Sequence, residues 1–194
     1  MSTFTAQELV RLGRVEAIVP RPDGAASVAV VARLDEEQAK YVSDLWLVPH
    51  DQGPAARLTR CDYKDRSPAF GPDGLMLFLS DRPHPGSKDE PRAQIWALPP
   101  AGEAYPLTDE PHGVADFKVA GSTVVAVVEL LPDVPLEAQR KTLADKKKLG
   151  PSLLKYDEQP VRFWDRWLGP TEPRLVAWDL SGGPNPSLTE RREI

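Results

Sequence analysis

Residues 75–79 (Leu-Met-Leu-Phe-Leu) are apolar at every position, which in a strand places apolar side chains on both faces. A sheet with one solvent-exposed face would alternate apolar and polar residues instead. Residues 71–74 (Gly-Pro-Asp-Gly) predict a tight turn before this strand, with proline at its second position and a positive φ at the last glycine. Because this is a hairpin turn, a first strand precedes it, and a third and a shorter fourth strand are predicted at 94–99 and 104–108. The pattern therefore predicts a four-stranded antiparallel unit that is buried on both faces.

The same landmarks occur earlier in the chain at a nearly constant offset. Pro-Asp-Gly at residues 22–24 precedes its second copy by 50 positions, and Trp46 precedes Trp96 by the same distance. The pair Leu58-Thr59 returns as Leu107-Thr108 after 49 positions. Three landmarks in one order at one offset indicate an internal repeat.

A third copy begins near Phe117, turns at Gly121, and ends with Trp178 and the pair Leu188-Thr189. An antiparallel unit of roughly 40 to 50 residues, buried between neighbours, is typical of a propeller blade. We predict an all-β chain: a β-propeller with about three four-stranded blades of an incomplete ring, a short N-terminal helix and a partly helical insertion in the third blade. The expected units are an N-terminal helical arm at 1–13, blade 1 at 14–60, blade 2 at 61–113, and blade 3 at 114–194 with an insertion at 132–173.

Both helices are expected outside the repeat. Thr5 and Glu8 have the spacing of a capping box, and Gly13 suits a C-terminal stop, so residues 5–12 predict a short amphipathic helix. Residues 135–150 carry acid early, lysine late and glycine last. This is the charge order that the helix dipole favours, and it predicts a second helix.

Composition and charge narrow the classes of function. The net charge of -5 provides no basic field for nucleic acid. The first 13 residues lack the pattern of a signal peptide, and no apolar run reaches the roughly 20 residues that a membrane span needs. The lone Cys61 excludes an internal disulfide, and with three scattered histidines it gives no metal-ligand spacing. We expect a cytoplasmic protein without cofactor, metal, nucleic acid or membrane partner.

The blade motif and the insertion resemble a known family. Residues 67–74, the Ser-Asp-Arg at 80–82, the strand at 95–98 and the Pro-Leu-Thr at 106–108 resemble the propeller repeat of Tol-type proteins and of prolyl oligopeptidase relatives. The insertion distinguishes the two, because residues 156–167 (Tyr-Asp-Glu-Gln-Pro-Val-Arg-Phe-Trp-Asp-Arg-Trp) resemble a segment of bacterial acylaminoacyl peptidases. The chain thus resembles the N-terminal propeller portion of a prolyl-oligopeptidase-family serine peptidase, on the side of the acylaminoacyl peptidases and dipeptidyl aminopeptidases.

The resemblance implies that the propeller covers a C-terminal α/β-hydrolase domain and limits access to short or N-acylated peptides. Such a domain requires a Gly-x-Ser-x-Gly elbow followed by an acid and a histidine. The chain has no such elbow, and residues 150–154 (Gly-Pro-Ser-Leu-Leu), which come nearest, lack the second glycine. We therefore assign no catalytic residue to this chain.

Three blades are too few for closure, since propellers generally have about 4 to 8. We expect the remainder of the propeller and the hydrolase domain to come from the same chain or a separate one, and a homo-oligomer is left open. Residues 190–194 follow the third Leu-Thr pair, and Arg191 and Arg192 would suit cleavage in a connection there.

The candidate substrate-binding residues are Arg162, Trp164, Asp165 and Arg166, in the densest aromatic and charged cluster of the chain. In the functional interpretation they border the cavity between domains, and an arginine pairs with a substrate carboxylate in a bidentate contact. In the structural interpretation the tryptophans anchor the insertion, and the arginines pair with nearby acidic residues.

Other features also have two interpretations. Residues 35–37 (Asp-Glu-Glu) either serve as a clamp, like the glutamate pair with which dipeptidyl peptidases of the wider family hold a free amino terminus, or form a solvated loop. The lysines at 146–148 form an anion patch or a solvated helix end. Trp46, Trp96 and Trp178 recur at one blade position, which predicts packing between blades.

The alternative function is a non-enzymatic binding scaffold of the Tol type or WD type. Trp178-Asp179 fits a WD repeat, but the corresponding pairs elsewhere are Trp-Leu and Trp-Ala, and no Gly-His precedes them. A Tol-type protein would be expected to carry an export signal.

Overall fold

Three four-stranded antiparallel sheets form most of this computed structural model. The structure describes residues 5, 8, 11–35, 37, 40–60, 62–87, 90–149, 169–183 and 185–194. Within each sheet the strands lie side by side in chain order. The predicted succession of four-stranded antiparallel units is therefore confirmed.

Each sheet is formed by one continuous stretch of the chain. Sheet 1 comprises β1 (Arg14–Pro20), β2 (Ala26–Leu34), β3 (Tyr41–Pro49) and β4 (Ala56–Arg57). Sheet 2 comprises β5 (Asp65–Phe70), β6 (Met76–Ser80), β7 (Gln94–Leu98) and β8 (Tyr105–Pro106). Sheet 3 comprises β9 (Val114–Ala120), β10 (Thr123–Leu130), β11 (Glu172–Leu180) and β12 (Leu188–Glu193).

Sheet 2 lies between the other two sheets, and its strand β6 is buried at every position. Met76 and Phe78 belong to the apolar cluster that joins sheet 2 to sheet 1. Leu77 and Leu79 point the other way, into the cluster that joins sheet 2 to sheet 3. This arrangement confirms the prediction of an apolar strand buried on both faces, although the strand begins at Met76 rather than at Leu75.

The turn between β5 and β6 contains two residues with positive φ rather than one. Gly74 has a φ of 75°, as predicted, and Asp73 before it has a φ of 55°. The backbone N–H of Leu75 donates to the carbonyl oxygen of Pro72 at 3.0 Å and closes the turn. Aspartate is among the few residues besides glycine that tolerate this region, so the Pro-Asp-Gly sequence suits the turn at both positions.

The three repeated tryptophans point in the same direction along the stack of sheets. Trp178 of sheet 3 lies in the cluster shared with sheet 2, and Trp96 of sheet 2 lies in the cluster shared with sheet 1. Both are 5% exposed, which confirms their predicted packing between sheets. Trp46 is paired with Ala29 on the face of sheet 1 that points away from sheet 2, and it is only half-buried. No described sheet covers that face.

The N-terminal arm contains the predicted capping box. The backbone N–H of Thr5 donates to Glu8 Oε2 at 2.7 Å, and the backbone N–H of Glu8 donates to Thr5 Oγ1 at 3.2 Å. Much of the helix predicted over residues 5–12 lies outside the described residues.

The insertion of sheet 3 is partly helical, as predicted. A 3-10 turn at Leu136–Ala138 leads into helix α1, Gln139–Leu149, whose last turn carries the three lysines at 146–148. Among the described residues, no helix is long and apolar enough to cross a membrane.

Arg191 and Arg192 do not lie in a connection, contrary to the expectation of a cleavable segment there. They lie within β12, which pairs with β11. Arg192 donates to both carboxylate oxygens of Asp179, at 2.7 and 3.2 Å. Both arginine side chains have acidic partners on neighbouring segments, Arg191 with Glu110 and Arg192 with Asp179.

Replacement of Leu77 by alanine is expected to destabilise the chain by about 2–5 kcal/mol, because it leaves a cavity between sheets 2 and 3. Leu77 is fully buried, whereas Leu175 is 48% exposed, so Leu175→Ala is the matched control and is expected to cost about 0.5 kcal/mol or less. Urea unfolding of the two variants measures the difference. Equal losses of stability would contradict the buried interface.

Candidate functional site

A cavity of about 510 Å³ lies where sheet 2 meets the insertion of sheet 3. The β6–β7 loop at 81–93, the β8–β9 connection at 107–113 and helix α1 surround it. Cavities of about 300–1,000 Å³ with a few placed polar groups commonly bind small ligands. Its lining consists of His84, Ser87, Glu90, Pro91, Arg92, Gln94, Asp109, Glu110, Pro111, Arg140, Leu143, Ala144, Lys146, Lys147 and Pro170.

A buried polar network around Gln94 supports the cavity from the side of sheet 2. Gln94 Oε1 accepts from Thr108 Oγ1 at 2.8 Å and from the backbone N–H of Glu110 at 2.9 Å. Gln94 Nε2 donates to the carbonyl oxygen of Glu110 at 2.9 Å. Because Gln94 is only 4% exposed, these bonds replace lost water contacts and fix the β8–β9 connection against β7.

Gly113 brings the loop before β7 close to the same connection. Its φ is 82°, and a Cβ added there would lie 2.9 Å from the carbonyl oxygen of Ala93. The backbone N–H of Val114 donates to that oxygen at 2.7 Å. Only glycine combines this backbone conformation with this close approach, so it places Arg92, next to Ala93, at the edge of the cavity.

An ion pair between Glu110 and Arg191 ties the cavity to sheet 3. Arg191 donates from Nε to Glu110 Oε1 at 2.9 Å and from Nη2 to Oε2 at 3.1 Å. The Glu110 side chain is 7% exposed and that of Arg191 is 21% exposed. Burial alone would lower the pKa of Arg191, but the hydrogen bonds and charge interactions with the Glu110 and Glu193 carboxylates together outweigh burial and raise it.

Gln139 at the start of α1 anchors the insertion. It is 1% exposed. Its Oε1 accepts from the backbone N–H of Leu131 at 2.9 Å and from His112 Nε2 at 3.0 Å. Its Nε2 donates to the carbonyl oxygens of Leu131 and Val134 at 2.9 and 2.7 Å. The amide thus joins both ends of the turn before α1 to the β8–β9 connection.

Ion pairs join the helix to the two loops. Arg140 pairs with Asp109 at 2.5 Å and also donates to the Asp109 carbonyl oxygen at 2.7 Å. Lys147 pairs with Glu90 of the β6–β7 loop, and this hydrogen bond lowers the pKa of Glu90. These contacts cross the mouth of the cavity and are exposed to solvent, so each contributes little to stability.

The sequence-predicted substrate-binding residues, Arg162, Trp164, Asp165 and Arg166, lie outside the described residues. Their assignment stays a prediction. The described chain on either side of that segment borders the cavity, since Lys147 and Pro170 both line it.

The other candidates have structural partners. Asp35 closes the β2–β3 loop, where its backbone N–H donates to the carbonyl oxygen of Lys40 at 3.0 Å. Lys147 of the lysine run forms the ion pair with Glu90. Cys61 lies outside the described residues. Asp35 and Lys147 therefore fit the structural interpretation, of a loop and a solvated helix end.

Sequence reasoning missed Arg92, Glu110 and Gln139. None of them recurs in the repeat, and Glu110 meets a partner 81 positions away. The signal that could have directed attention to them is the polar pair Asp109-Glu110 after a Leu-Thr landmark, where the first copy has Arg60-Cys61.

No family model matches the chain. A sequence relative is an uncharacterized peptidase of Bacillus subtilis, YuxL, which is 27% identical over 146 residues. The match covers 73% of this chain and 21% of that protein. The chain therefore spans about a fifth of the length of this curated relative.

Solved structures share the fold. An acylaminoacyl peptidase of Pyrococcus horikoshii matches with a TM-score of 0.62 and 14% identity, over 94% of this chain and 25% of the other. The isopeptidase AtxE2 matches with a TM-score of 0.58 and 17% identity, over 98% and 32%. A TolB candidate from Agrobacterium tumefaciens matches with a TM-score of 0.50 and 19% identity, over 93% and 50%.

The predicted family resemblance is confirmed. The sequence relative is a peptidase, and the structures that match include the propeller portions of peptidases. This chain is similar to the propeller portion of a peptidase of the prolyl oligopeptidase family.

Arg191→Met is expected to cost about 3 kcal/mol or more of stability, because it leaves the Glu110 carboxylate buried without its partner. Arg192→Met removes an arginine whose side chain is 45% exposed, and it is expected to cost much less stability, because an exposed ion pair contributes little. Chemical unfolding of both variants measures the contrast. Similar costs for the two neighbouring arginines would contradict the structural role of the buried pair.

His112 is expected to make folding pH-dependent. Burial lowers the pKa of His112, and the charges of Arg92 and Arg140 lower it further, while the hydrogen bond to Gln139 and the charge of Glu129 only partly oppose this shift. As pH falls, the His112 side chain is protonated in the unfolded chain before it is protonated in the folded chain, and this favours unfolding. The stability that neutral His112 contributes is therefore present above about pH 6.5 and is lost below it. Between about pH 7.5 and pH 5.5, the urea midpoint of the wild type should fall further than that of His112→Gln. Equal falls would exclude this role for His112.

Proposed function

We propose that the three sheets are consecutive blades of a β-propeller and that further polypeptide completes the ring. The direction of the tryptophans supports this arrangement. Trp96 and Trp178 each pack against the preceding sheet, so Trp46 is expected to pack against a sheet that precedes sheet 1 in the ring.

The two outer faces of the stack support the same proposal. Ile18 is 64% exposed on the uncovered face of sheet 1, which also carries Val48, and Leu175 is 48% exposed on the uncovered face of sheet 3. Strands with large apolar residues on solvent-exposed faces are association-prone, and a further blade on each side would cover them. Each face would then resemble the buried faces of sheet 2.

We further propose that the ring is the substrate-gating part of a serine peptidase that hydrolyses short or N-acylated peptides, with the catalytic α/β-hydrolase domain outside this chain. The observation that carries this proposal is that two comparisons agree: the sequence relative is a peptidase, and the fold matches part of a solved peptidase. A propeller over a hydrolase active site would exclude folded proteins by size and admit flexible short peptides.

The cavity lies at the end of the sheets that we assign to the substrate side. The β6–β7 loop, the β8–β9 connection and the β10–β11 insertion meet at this end, as the contacts of Ala93 with Val114 and of His112 with Gln139 show. The β4–β5 connection joins them through the backbone N–H of Lys64, which donates to Asp81 Oδ1 at 2.7 Å. The long insertion would thus extend over the entrance of the ring.

The alternative is a Tol-type or WD-type propeller that binds a partner without catalysis. The match to the TolB candidate supports it, although its TM-score is lower than those of the peptidases. The two functions differ in whether a hydrolase domain accompanies the ring.

Hydrolysis of N-acetylated amino-acid esters and short peptides distinguishes the two functions. The 194-residue chain by itself is expected to show no hydrolysis, because it contains no Gly-x-Ser-x-Gly elbow. The product of the complete reading frame that encodes it is expected to hydrolyse these substrates and to lose the activity with a serine-directed inhibitor.

The matched control is a complete product whose elbow serine is replaced by alanine. Hydrolysis by the 194-residue chain would contradict the assignment of catalysis to another domain. A complete product without hydrolytic activity would favour the binding scaffold.

A further inference from the structure

Four cationic side chains line the cavity beside α1, and two of them form no ion pair among the described residues, although the charge of Arg92 also acts on Glu90 and helps to lower its pKa. Arg140 is paired with Asp109, and Lys147 is paired with Glu90. Arg92 and Lys146 line the same space, and neither forms a hydrogen bond or an ion pair in the described part of the chain. The third lining carboxylate, that of Glu110, is occupied by Arg191.

The charge balance therefore favours an anion in the cavity. Each of its three carboxylates already binds a cation, whereas two cations are left to bind a ligand. A cationic group, such as a free amino terminus, would have to displace a cation that is already paired with one of these carboxylates.

Apolar side chains elsewhere in the lining, beside the polar His84, Ser87 and Gln94, add a second condition on the ligand. Pro91, Pro111, Leu143 and Pro170 contribute surface without hydrogen-bonding side chains. A volume of about 510 Å³ exceeds what a small inorganic anion requires and suits one or two amino-acid residues. The site thus fits a ligand with an anionic end and an apolar body.

We propose that this cavity binds the C-terminal carboxylate of a short peptide through the Arg92 guanidinium, with the last side chain of the peptide against the apolar wall. The proposal rests on the proposed function for its substrate class, and it adds the site and the end of the peptide that is recognised. Arg92 can meet both carboxylate oxygens with two parallel N–H donors, whereas Lys146 adds charge at the rim. Gly113 holds the loop that carries Arg92 in place, so little ordering accompanies binding.

The test is calorimetric titration of the 194-residue chain with the tripeptide Ala-Ala-Phe, as the free acid and as its C-terminal amide. The free acid is expected to bind about tenfold more tightly or better, because the amide lacks the charge that the guanidinium binds. Arg92→Gln is expected to remove this preference.

Arg60→Gln is the matched control, because it removes the same charge from an exposed arginine that does not line the cavity and has no ion pair in the described structure. It is expected to keep the preference for the free acid. Circular dichroism confirms that each variant is folded. If Arg92→Gln does not fold, Arg92→Lys serves instead, and a preference reduced at least about threefold supports the proposal.

Several results would overturn the proposal. They are equal affinity for acid and amide, no binding of either peptide at millimolar concentration, a preference that survives the Arg92 substitutions, and a preference lost equally in Arg60→Gln. The binding measurement does not depend on catalysis. If the product of the complete reading frame hydrolyses peptides but the 194-residue chain does not bind them, this binding site is rejected and the peptidase function is kept. Binding without hydrolysis by that product would reject the peptidase function and keep the site.

Discussion

The architecture depends on the burial of sheet 2 from both sides. A strand whose odd and even residues are all apolar cannot be stable beside water, and β6 satisfies this constraint because sheets 1 and 3 cover its two faces. The same constraint applies to sheets 1 and 3, whose outer faces carry exposed apolar residues such as Ile18 and Leu175. In the described part of the chain, the central sheet is thus covered on both faces, whereas each outer sheet is covered on one.

Burial of both faces also determines where polar chemistry can occur. In sheet 2, the polar groups of the cavity lie at the ends of the strands, because both faces of this sheet are occupied by packing. There the side-chain amides of Gln94 and Gln139 form hydrogen bonds with buried backbone groups. The segments that these bonds hold in place carry charged side chains of the cavity. The insertion of sheet 3 adds a helix to this end, and the helix forms one wall of the cavity beside the connections between strands.

The cavity combines a rigid support with charges that are exposed to solvent. Glu110 and Arg191 join sheet 2 to sheet 3 through a buried pair of hydrogen bonds, whereas Lys147 and Glu90 form a solvent-exposed ion pair at the mouth. Exposed pairs exchange partners at small cost, while a buried pair does not. Such a division suits a site that must keep its shape while ligands enter and leave.

The sequence by itself determined the strands, their grouping in fours, the capping box at Thr5 and the helix of the insertion, because these depend on residues close together in the chain. Local turn chemistry and apolar patterning leave a direct record at fixed spacing, as the Pro-Asp-Gly and tryptophan repeats illustrate. Only the tertiary structure decided the cavity. Its parts come from residues such as Glu110 and Arg191, 81 positions apart, and His112 and Gln139, 27 positions apart. Neither pair repeats, and contacts of this kind are made only when packed sheets bring distant connections to one end.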